Sequence, residues 1–201
     1  MDLIYPFLIA FIMVFIAELG DKTQLIVLSF SNTLRARTIL FGVALGSLFS
    51  HGIAIIFGSS LGLLDNPFLR QLLEVITYIS FILMGIISLL PKKEKISFDD
   101  SSKEGLVQKI SYLKLNYSLI IALSIMVGEL GDKTFLASIG FGLQYPNSKI
   151  MLVLGAVLGM VASNSIAIIF GKILNKYVSE TTFQKLSGIL FLIFGIVGFL
   201  F

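Results

Sequence analysis

The residues best suited to chemistry in this chain form a six-residue motif that occurs twice. Residues 18–23 and residues 129–134 both read Glu-Leu-Gly-Asp-Lys-Thr. Each copy places two carboxylates and an ammonium group in the middle of a long apolar stretch. Ionisable groups are costly at membrane depth and are retained there mainly for function. The motif therefore predicts a functional site, and a structural salt bridge within each helix is the simpler alternative.

The spacing within the motif indicates how its charged groups are presented. In a continuous helix, Glu18 lies three residues from Asp21 and four from Lys22, so the three side chains share roughly one face. The same spacing recurs in the second copy, in Glu129, Asp132 and Lys133. The glycine inside each copy, Gly20 or Gly131, predicts a close backbone approach or an opening of the helix that frees carbonyl oxygens for a cation.

The four motif acids are the predicted metal ligands. They are Glu18, Asp21, Glu129 and Asp132. Oxygen ligands suit Ca²⁺ or Mn²⁺, whereas zinc and copper are disfavoured because the chain has one histidine and no cysteine. Four ionised carboxylates and two lysines sum to minus two, which one divalent cation or two protons would cancel. The metal is thus expected as a transported substrate that competes with protons, and no cofactor is expected.

Further polar residues are predicted to line the same site. They are Lys22, Thr23, Gln24, Lys133, Thr134, Ser50, His51, Ser163 and Asn164. The serines fit helix–helix packing equally well. A lone histidine in an apolar segment is more often a packed or hydrogen-bonded side chain than a proton relay, so both interpretations of His51 stay open.

The composition places the chain in a membrane. Hydrophobic residues make up 56% of it and charged residues 13%, with a mean hydropathy of +0.97. Residues 38–64 and 150–171 contain no Asp, Glu, Lys or Arg, and each stretch can cross about 30 Å of hydrocarbon as a helix. A cleaved signal peptide is not expected, because only Asp2 is charged before the first apolar stretch. The partners expected are a lipid bilayer, a divalent metal ion and protons, with no nucleic acid.

The chain divides into two halves of three predicted membrane spans. The spans cover residues 3–30, 39–64, 68–90, 115–143, 150–173 and 182–201. Residues 1–91 form the first half and 115–201 the second, with a charged linker at 92–114. Residues 53–58 recur letter for letter as 166–171, and residues 42–46 resemble 155–159. The predicted fold is an all-α integral membrane protein with six transmembrane helices in two repeats.

The distribution of basic residues predicts how these repeats cross the membrane. Eleven lie in connections on one side: Arg35, Arg37, Lys92, Lys93, Lys95, Lys103, Lys109, Lys114, Lys172, Lys176 and Lys185. Only Arg70 and Lys149 fall on the other side. The positive-inside bias then makes the linker cytoplasmic and places both termini opposite. Three spans per repeat imply inverted repeats, which in secondary transporters meet around a substrate site near the midplane.

The motif resembles the signature of the small cation–proton exchangers once grouped as uncharacterised protein family 16, which includes thylakoid and bacterial manganese transporters. Both copies match the pattern Glu-x-Gly-Asp-(Lys/Arg)-(Thr/Ser) at every position, and the resemblance extends over all six spans. It implies transport of Mn²⁺ and/or Ca²⁺ against protons, with the motif acids as ion ligands. It implies a bacterial plasma membrane or a thylakoid-type membrane.

Two other functions fit parts of the pattern. An intramembrane aspartyl protease would use Asp21 and Asp132 as a proton-sharing pair, although Glu18 and Glu129 stand where its usual signature has glycine. An exporter of small organic cations or amino acids could use a similar scaffold. The sequence favours a transporter over an enzyme, and it leaves open the preference between Mn²⁺ and Ca²⁺ and the oligomeric state.

Overall fold

The computed structural model of the chain describes residues 4–31, 34–64, 66–90, 116–177 and 180–200. Helices account for almost all of these residues, and no strand occurs among them. The predicted linker at 92–114 lies outside the described residues. The described part is thus all-α, as predicted.

Eight α-helices are described. They are α1 (Ile4–Glu18), α2 (Lys22–Ser31), α3 (Ala36–Gly62), α4 (Pro67–Leu89), α5 (Tyr117–Glu129), α6 (Lys133–Gln144), α7 (Lys149–Tyr177) and α8 (Glu180–Leu200). A 3₁₀ turn at Pro146–Ser148 connects α6 to α7. The predicted span at 3–30 therefore consists of two helices, α1 and α2, and the predicted span at 115–143 likewise consists of α5 and α6.

Three helical segments within the described residues are long and apolar enough to cross a membrane. They are Ala36–Gly62, Pro67–Leu89 and Pro146–Ile169. Shorter apolar helices occur at Ile4–Glu18, Tyr117–Glu129 and Lys185–Leu200. Because α1 and α5 end at the motifs, neither is a full span by itself. The arrangement of six spans as inverted repeats stays a prediction.

Local sequence explains where two of the helices begin. The Asn66 side chain accepts a hydrogen bond from the Leu69 N–H at 3.1 Å, and Pro67 occupies the first turn of α4. The Asn116 side chain accepts a hydrogen bond from the Ser118 N–H at 3.2 Å at the start of α5. Asparagine caps and an early proline satisfy or replace backbone donors that a helix start leaves unpaired.

Helices of one half pack mainly on helices of the other half. Helix α1 packs on α7, and α3 packs on α5, α6 and α7, while α4 packs on α8. The two halves match in sequence, so α1 corresponds to α5 and α3 to α7. The α1–α7 contact is therefore the counterpart of the α3–α5 contact. These two equivalent contacts between the halves bring the ends of α1 and α5, which carry the motif glutamates, toward the centre of the bundle.

Glycines allow these helices to approach closely. A Cβ atom at Gly42 would lie 2.7 Å from the Ser118 carbonyl oxygen on α5, and one at Gly159 would lie 2.7 Å from the Phe11 carbonyl oxygen on α1. Real Cβ atoms do not come that close to backbone, so only glycine fits at these contacts. The Gly42/Gly46 and Gly155/Gly159 pairs are therefore packing faces.

The outer surface of the bundle is apolar. On α3, Phe41, Phe49, Ile53, Ile56 and Phe57 are each more than half exposed. A surface of this kind would be unfavourable in water and suits contact with lipid. The polar side chains with the lowest exposure lie inside, among them both motif glutamates.

Candidate metal site

Both motif copies interrupt a helix. Helix α1 ends at Glu18 and α2 begins at Lys22. In the second copy, α5 ends at Glu129 and α6 begins at Lys133. Gly20 has a φ of 74° and Gly131 a φ of 82°, a left-handed conformation that glycine adopts without steric cost. The predicted opening of the helix at these glycines is thus confirmed. The prediction that the motif side chains share one face of a continuous helix is wrong, because no continuous helix passes through either motif.

Three of the four predicted metal ligands come together at these breaks. Glu18, Glu129 and Asp132 each offer one carboxylate oxygen, and the three oxygens lie within 4.8 Å of one another. Glu18 and Glu129 are fully buried. Glu18 comes from the first half of the chain and the other two from the second. The cluster therefore depends on both motif copies.

The fourth predicted ligand, Asp21, has a different environment. Its Oδ2 atom lies 2.7 Å from the Lys133 Nζ atom, and the two side chains are 16% and 17% exposed. Asp21 is outside the group of three carboxylates. Lys133 thus supplies a positive charge to the first motif from the second. Lys22 begins α2, but its side chain is outside the described ones.

The motif threonines each hold one oxygen of a glutamate. Thr23 Oγ1 donates a hydrogen bond to Glu18 Oε2 at 3.1 Å, and Thr134 Oγ1 donates one to Glu129 Oε2 at 2.8 Å. The second oxygen of each glutamate, Oε1, is buried and has no hydrogen-bond partner among the described residues. An unpartnered carboxylate oxygen in a dry interior is strongly unfavourable. The two Oε1 atoms are therefore candidate positions for a cation or a proton.

The helix ends reinforce this preference for positive charge. Helices α1 and α5 both end at a motif glutamate. The last carbonyl groups of a helix lack partners within the helix, and its C-terminus carries partial negative charge. Cations are favoured at such ends, as they are at the interrupted helices of secondary transporters.

Gln24 and Ser163 lie beside the first motif. Gln24 Nε2 donates a hydrogen bond to Ser163 Oγ at 2.7 Å, and its Oε1 accepts one from the Gly20 N–H at 2.9 Å. Ser50, the counterpart of Ser163 in the first half, instead donates to the Ser47 carbonyl oxygen of its own helix at 3.3 Å. The structure therefore brings Ser163, but not Ser50, into contact with a residue adjoining the motif.

His51 and Asn164 occupy equivalent positions in the two halves and are both fully buried. His51 Nδ1 and Ser138 Oγ are hydrogen bonded at 2.8 Å, whereas Asn164 Nδ2 donates to the Met160 carbonyl oxygen of its own helix at 2.9 Å. The His51 Nε2 atom and the Asn164 Oδ1 atom are buried without a partner among the described residues. His51 is not part of the group of three carboxylates.

Ser138, the hydrogen-bond partner of His51, was not among the residues predicted from the sequence. It is buried, and it lies four residues after Thr134 on α6, so both hydroxyls lie on the same face of that helix. This four-residue spacing from Thr134 was the sequence signal that could have pointed to Ser138. The corresponding residue of the first half is Val27, which is why comparing the halves did not reveal it.

Comparison with known proteins identifies relatives of the whole chain. Residues 6–96 and 118–200 match the family model described as "Divalent cation/proton antiporter GDT1". The chain is 26% identical to "Protein PAM71, chloroplastic" of Arabidopsis thaliana, over 98% of this chain and 57% of that protein. It is also 26% identical to the "Putative manganese exporter" of Vibrio cholerae, over 89% of this chain and 82% of that protein.

A rice relative extends the comparison. "GDT1-like protein 1, chloroplastic" of Oryza sativa subsp. japonica is 29% identical over 98% of this chain and 62% of that protein. The chain therefore spans about 60% of the length of these plant relatives. No solved structure matches significantly. Since the family model covers most of the chain in two blocks, one per half, this integral membrane protein belongs to the GDT1 family.

Proposed function

We propose that this protein exports Mn²⁺ and/or Ca²⁺ in exchange for protons, and that Glu18, Glu129 and Asp132 bind the transported ion. One observation carries the proposal. Two fully buried glutamates from different halves each have an unpartnered oxygen, and each offers an oxygen within 4.8 Å of Asp132 and of the other. The family description and the name of the Vibrio cholerae relative support the same function.

The spacing of the carboxylates fits a single ion. Oxygen ligands lie about 2.3–2.6 Å from a bound Ca²⁺, so two ligands on opposite sides of it are about 5 Å apart. Oxygens within 4.8 Å of one another can therefore share one ion. Mn²⁺ accepts the same oxygens. A monovalent organic cation would leave most of the carboxylate charge in this buried cluster uncompensated, which makes the organic-cation alternative less favourable.

Proton exchange follows from the same charges. When the ion leaves, three carboxylates remain close together in a largely buried site. Their mutual repulsion and their burial both disfavour the ionised state, so protons would replace the ion. Metal and protons thus compete for the same oxygens, and the site is neutralised alternately by one and the other.

The proposed topology is a pair of inverted three-span repeats, with the linker cytoplasmic and both termini opposite. The equivalent α1–α7 and α3–α5 contacts support two equivalent halves. The eleven-to-two division of basic residues supports the orientation. Chloroplast and bacterial relatives are consistent with a thylakoid-type or bacterial plasma membrane.

The aspartyl protease alternative is disfavoured by the position of Asp21. Its carboxylate pairs with the Lys133 ammonium group at 2.7 Å and is outside the group formed by Glu18, Glu129 and Asp132. A proton-sharing pair of aspartates requires the two carboxyl groups to face each other at about 3 Å. We therefore propose that the protein is a transporter and not an enzyme.

Purified protein in sealed liposomes tests the proposal. An outward or inward pH gradient should drive Mn²⁺ or Ca²⁺ flux, and metal flux should move protons, reported by a pH-sensitive dye inside the vesicles. Glu129→Gln should abolish both signals. Glu74→Gln, which changes a carboxylate on α4 outside the cluster, is the matched control and should retain them. Metal flux that neither moves protons nor responds to the gradient would rule out exchange.

A further inference from the structure

The side chain of Gln24 connects the first motif to a helix of the other half. Gln24 directly follows the motif and is 7% exposed. Its Oε1 atom accepts a hydrogen bond from the Gly20 N–H at 2.9 Å, and its Nε2 atom donates to both the hydroxyl and the carbonyl oxygen of Ser163, at 2.7 and 3.3 Å. Both polar ends of the amide are thus used.

These hydrogen bonds hold the turn that follows Glu18, one of the proposed metal ligands. Gly20 lies in the break between α1 and α2, and its N–H bonds to the Gln24 side chain instead of a carbonyl group of the preceding helical turn. Gln24 supplies the missing acceptor, and Ser163, which is fully buried on α7, holds the amide in place. The shape of the turn after Glu18 is therefore tied to α7 through a single side chain.

The second motif is built differently at the same position. Phe135 stands where the first motif has Gln24. A phenylalanine side chain has no hydrogen-bonding atom, so it cannot bridge Gly131 to the opposite helix. Ser50, which corresponds to Ser163, bonds to its own helix instead. The residue that follows the motif therefore links the turn to the opposite helix in the first half but cannot do so in the second.

We infer that Gln24 is a positioning residue for the metal site, which holds the turn after Glu18 in the shape that brings this glutamate to Glu129 and Asp132. The inference rests on the proposed function, in that these carboxylates bind the transported ion. Gln24 itself is not a ligand: its oxygen and its nitrogen are both occupied by protein groups. Its contribution should appear in metal affinity, because an unheld turn must be ordered when the ion binds.

The test is Mn²⁺ binding to the purified chain of residues 1–201, together with initial Mn²⁺ flux in liposomes. Gln24→Met keeps the length of the side chain but removes both polar ends. We expect the Kd for Mn²⁺ to rise about tenfold, which corresponds to about 1.4 kcal/mol. The flux at saturating Mn²⁺ should stay within about twofold. Ser163→Ala should raise the Kd less, about threefold, because the carbonyl acceptor remains.

Ser165→Ala is the matched control. Ser165 lies on the same helix two residues away, and its hydroxyl donates to the Val161 carbonyl oxygen of that helix. Its removal should leave the Kd unchanged. A purely structural role for Gln24 would lower the unfolding temperature without changing the Kd of the folded protein. An unchanged Kd in Gln24→Met would overturn the inference.

Two further results separate this inference from the proposed function. If Gln24→Met does not fold, the Kd of Ser163→Ala for Mn²⁺ tests the inference instead. A value equal to that of Ser165→Ala overturns the inference. If Glu18→Gln and Glu129→Gln abolish Mn²⁺ binding while Gln24→Met does not weaken it, only the positioning role fails. If the glutamate variants bind Mn²⁺ normally, the proposed site itself is wrong.

Discussion

The Lys133 ammonium group lies 2.7 Å from the Asp21 carboxylate, so a cation of the second motif pairs with an acid of the first. The pair is largely buried and stands beside the three clustered carboxylates. It joins the two halves of the chain at the place where the proposed ion site is built. It also separates the roles of the four motif acids, since Asp21 carries a protein countercharge and is outside the carboxylate group.

We predict that breaking this ion pair destabilises the protein. Lys133→Gln and Asp21→Asn should each cost about 1–3 kcal/mol, between the values for exposed and for buried pairs, because each leaves a charge without this partner. The double variant should cost less than the sum of the two. Thermal unfolding in detergent measures all three. Strictly additive losses would show that the two residues are not coupled.

We predict that Glu18 and Glu129 serve one shared site. Glu18→Gln and Glu129→Gln should each abolish or severely reduce Mn²⁺ binding and flux, since an amide keeps the shape but loses the charge. The double variant should be little worse than either single, because effects within one site are not additive. Binding and initial flux are measured for the three variants. Two half-active singles, each with a full-affinity site, would show that the halves bind ions independently.

We predict a milder effect from the motif threonines. Thr23→Val and Thr134→Val keep the branched shape but remove the hydroxyl that donates to Glu18 or Glu129. Loss of such a hydrogen bond costs about 1 kcal/mol, so the Kd for Mn²⁺ should rise about fivefold. Thr77→Val on α4, whose hydroxyl bonds to the Leu73 carbonyl oxygen, is the control. An equal change in the control would contradict the role of the motif hydroxyls.

We predict that Gly131 is needed for its backbone conformation alone. A Cβ there would meet nothing within 4 Å, yet the φ of 82° costs an L-residue about 1–2 kcal/mol. Gly131→Ala should therefore lower both the unfolding temperature and Mn²⁺ affinity, and Gly131→Asn should do so less. Gly52→Ala is the control: it also has free space, but it lies within α3, where alanine is the better helix former. Equal stability of the wild type and Gly131→Ala would contradict the prediction.

We predict that the linker faces the cytoplasm. Ser101→Cys, in the linker outside the described residues, should be protected from an impermeant thiol reagent in intact cells. Asn147→Cys, at the exposed residue of the 3₁₀ turn between α6 and α7, should react. The natural chain has no cysteine, so each variant reports on one position. The reverse labelling pattern would invert the proposed topology.

The helices could be predicted from the sequence because their apolar stretches are long and bounded by charge. The predicted span at 68–90 and helix α4 at Pro67–Leu89 differ by one residue at either end. The break within each motif was predicted only as one of two roles for its glycine. Spacing alone could not decide between them, because the choice depends on whether the opened turn finds new partners, such as Gln24 for the Gly20 N–H.

The acids of the candidate site could be identified from the sequence, but the partner of each acid in the structure could not. Glu18, Glu129 and Asp132 come together, whereas the predicted ligand Asp21 pairs with Lys133. Identical motifs predict identical roles, and the difference between the two aspartates arises from tertiary packing that no local pattern encodes. The His51–Ser138 hydrogen bond joins helices α3 and α6, which are far apart in sequence, so neither residue predicts the other.

The glycine contacts between backbones have a consequence for motion. They join α1 to α7, and they join α3 to both α5 and α6, so each group contains helices of both halves. Backbones packed this closely leave little freedom to slide, so each group should move as a rigid body. Glu18 ends a helix of one body and Glu129 ends a helix of the other. A rocking motion that opens the site would therefore separate two bodies of mixed origin, along a seam different from the boundary between the duplicated halves.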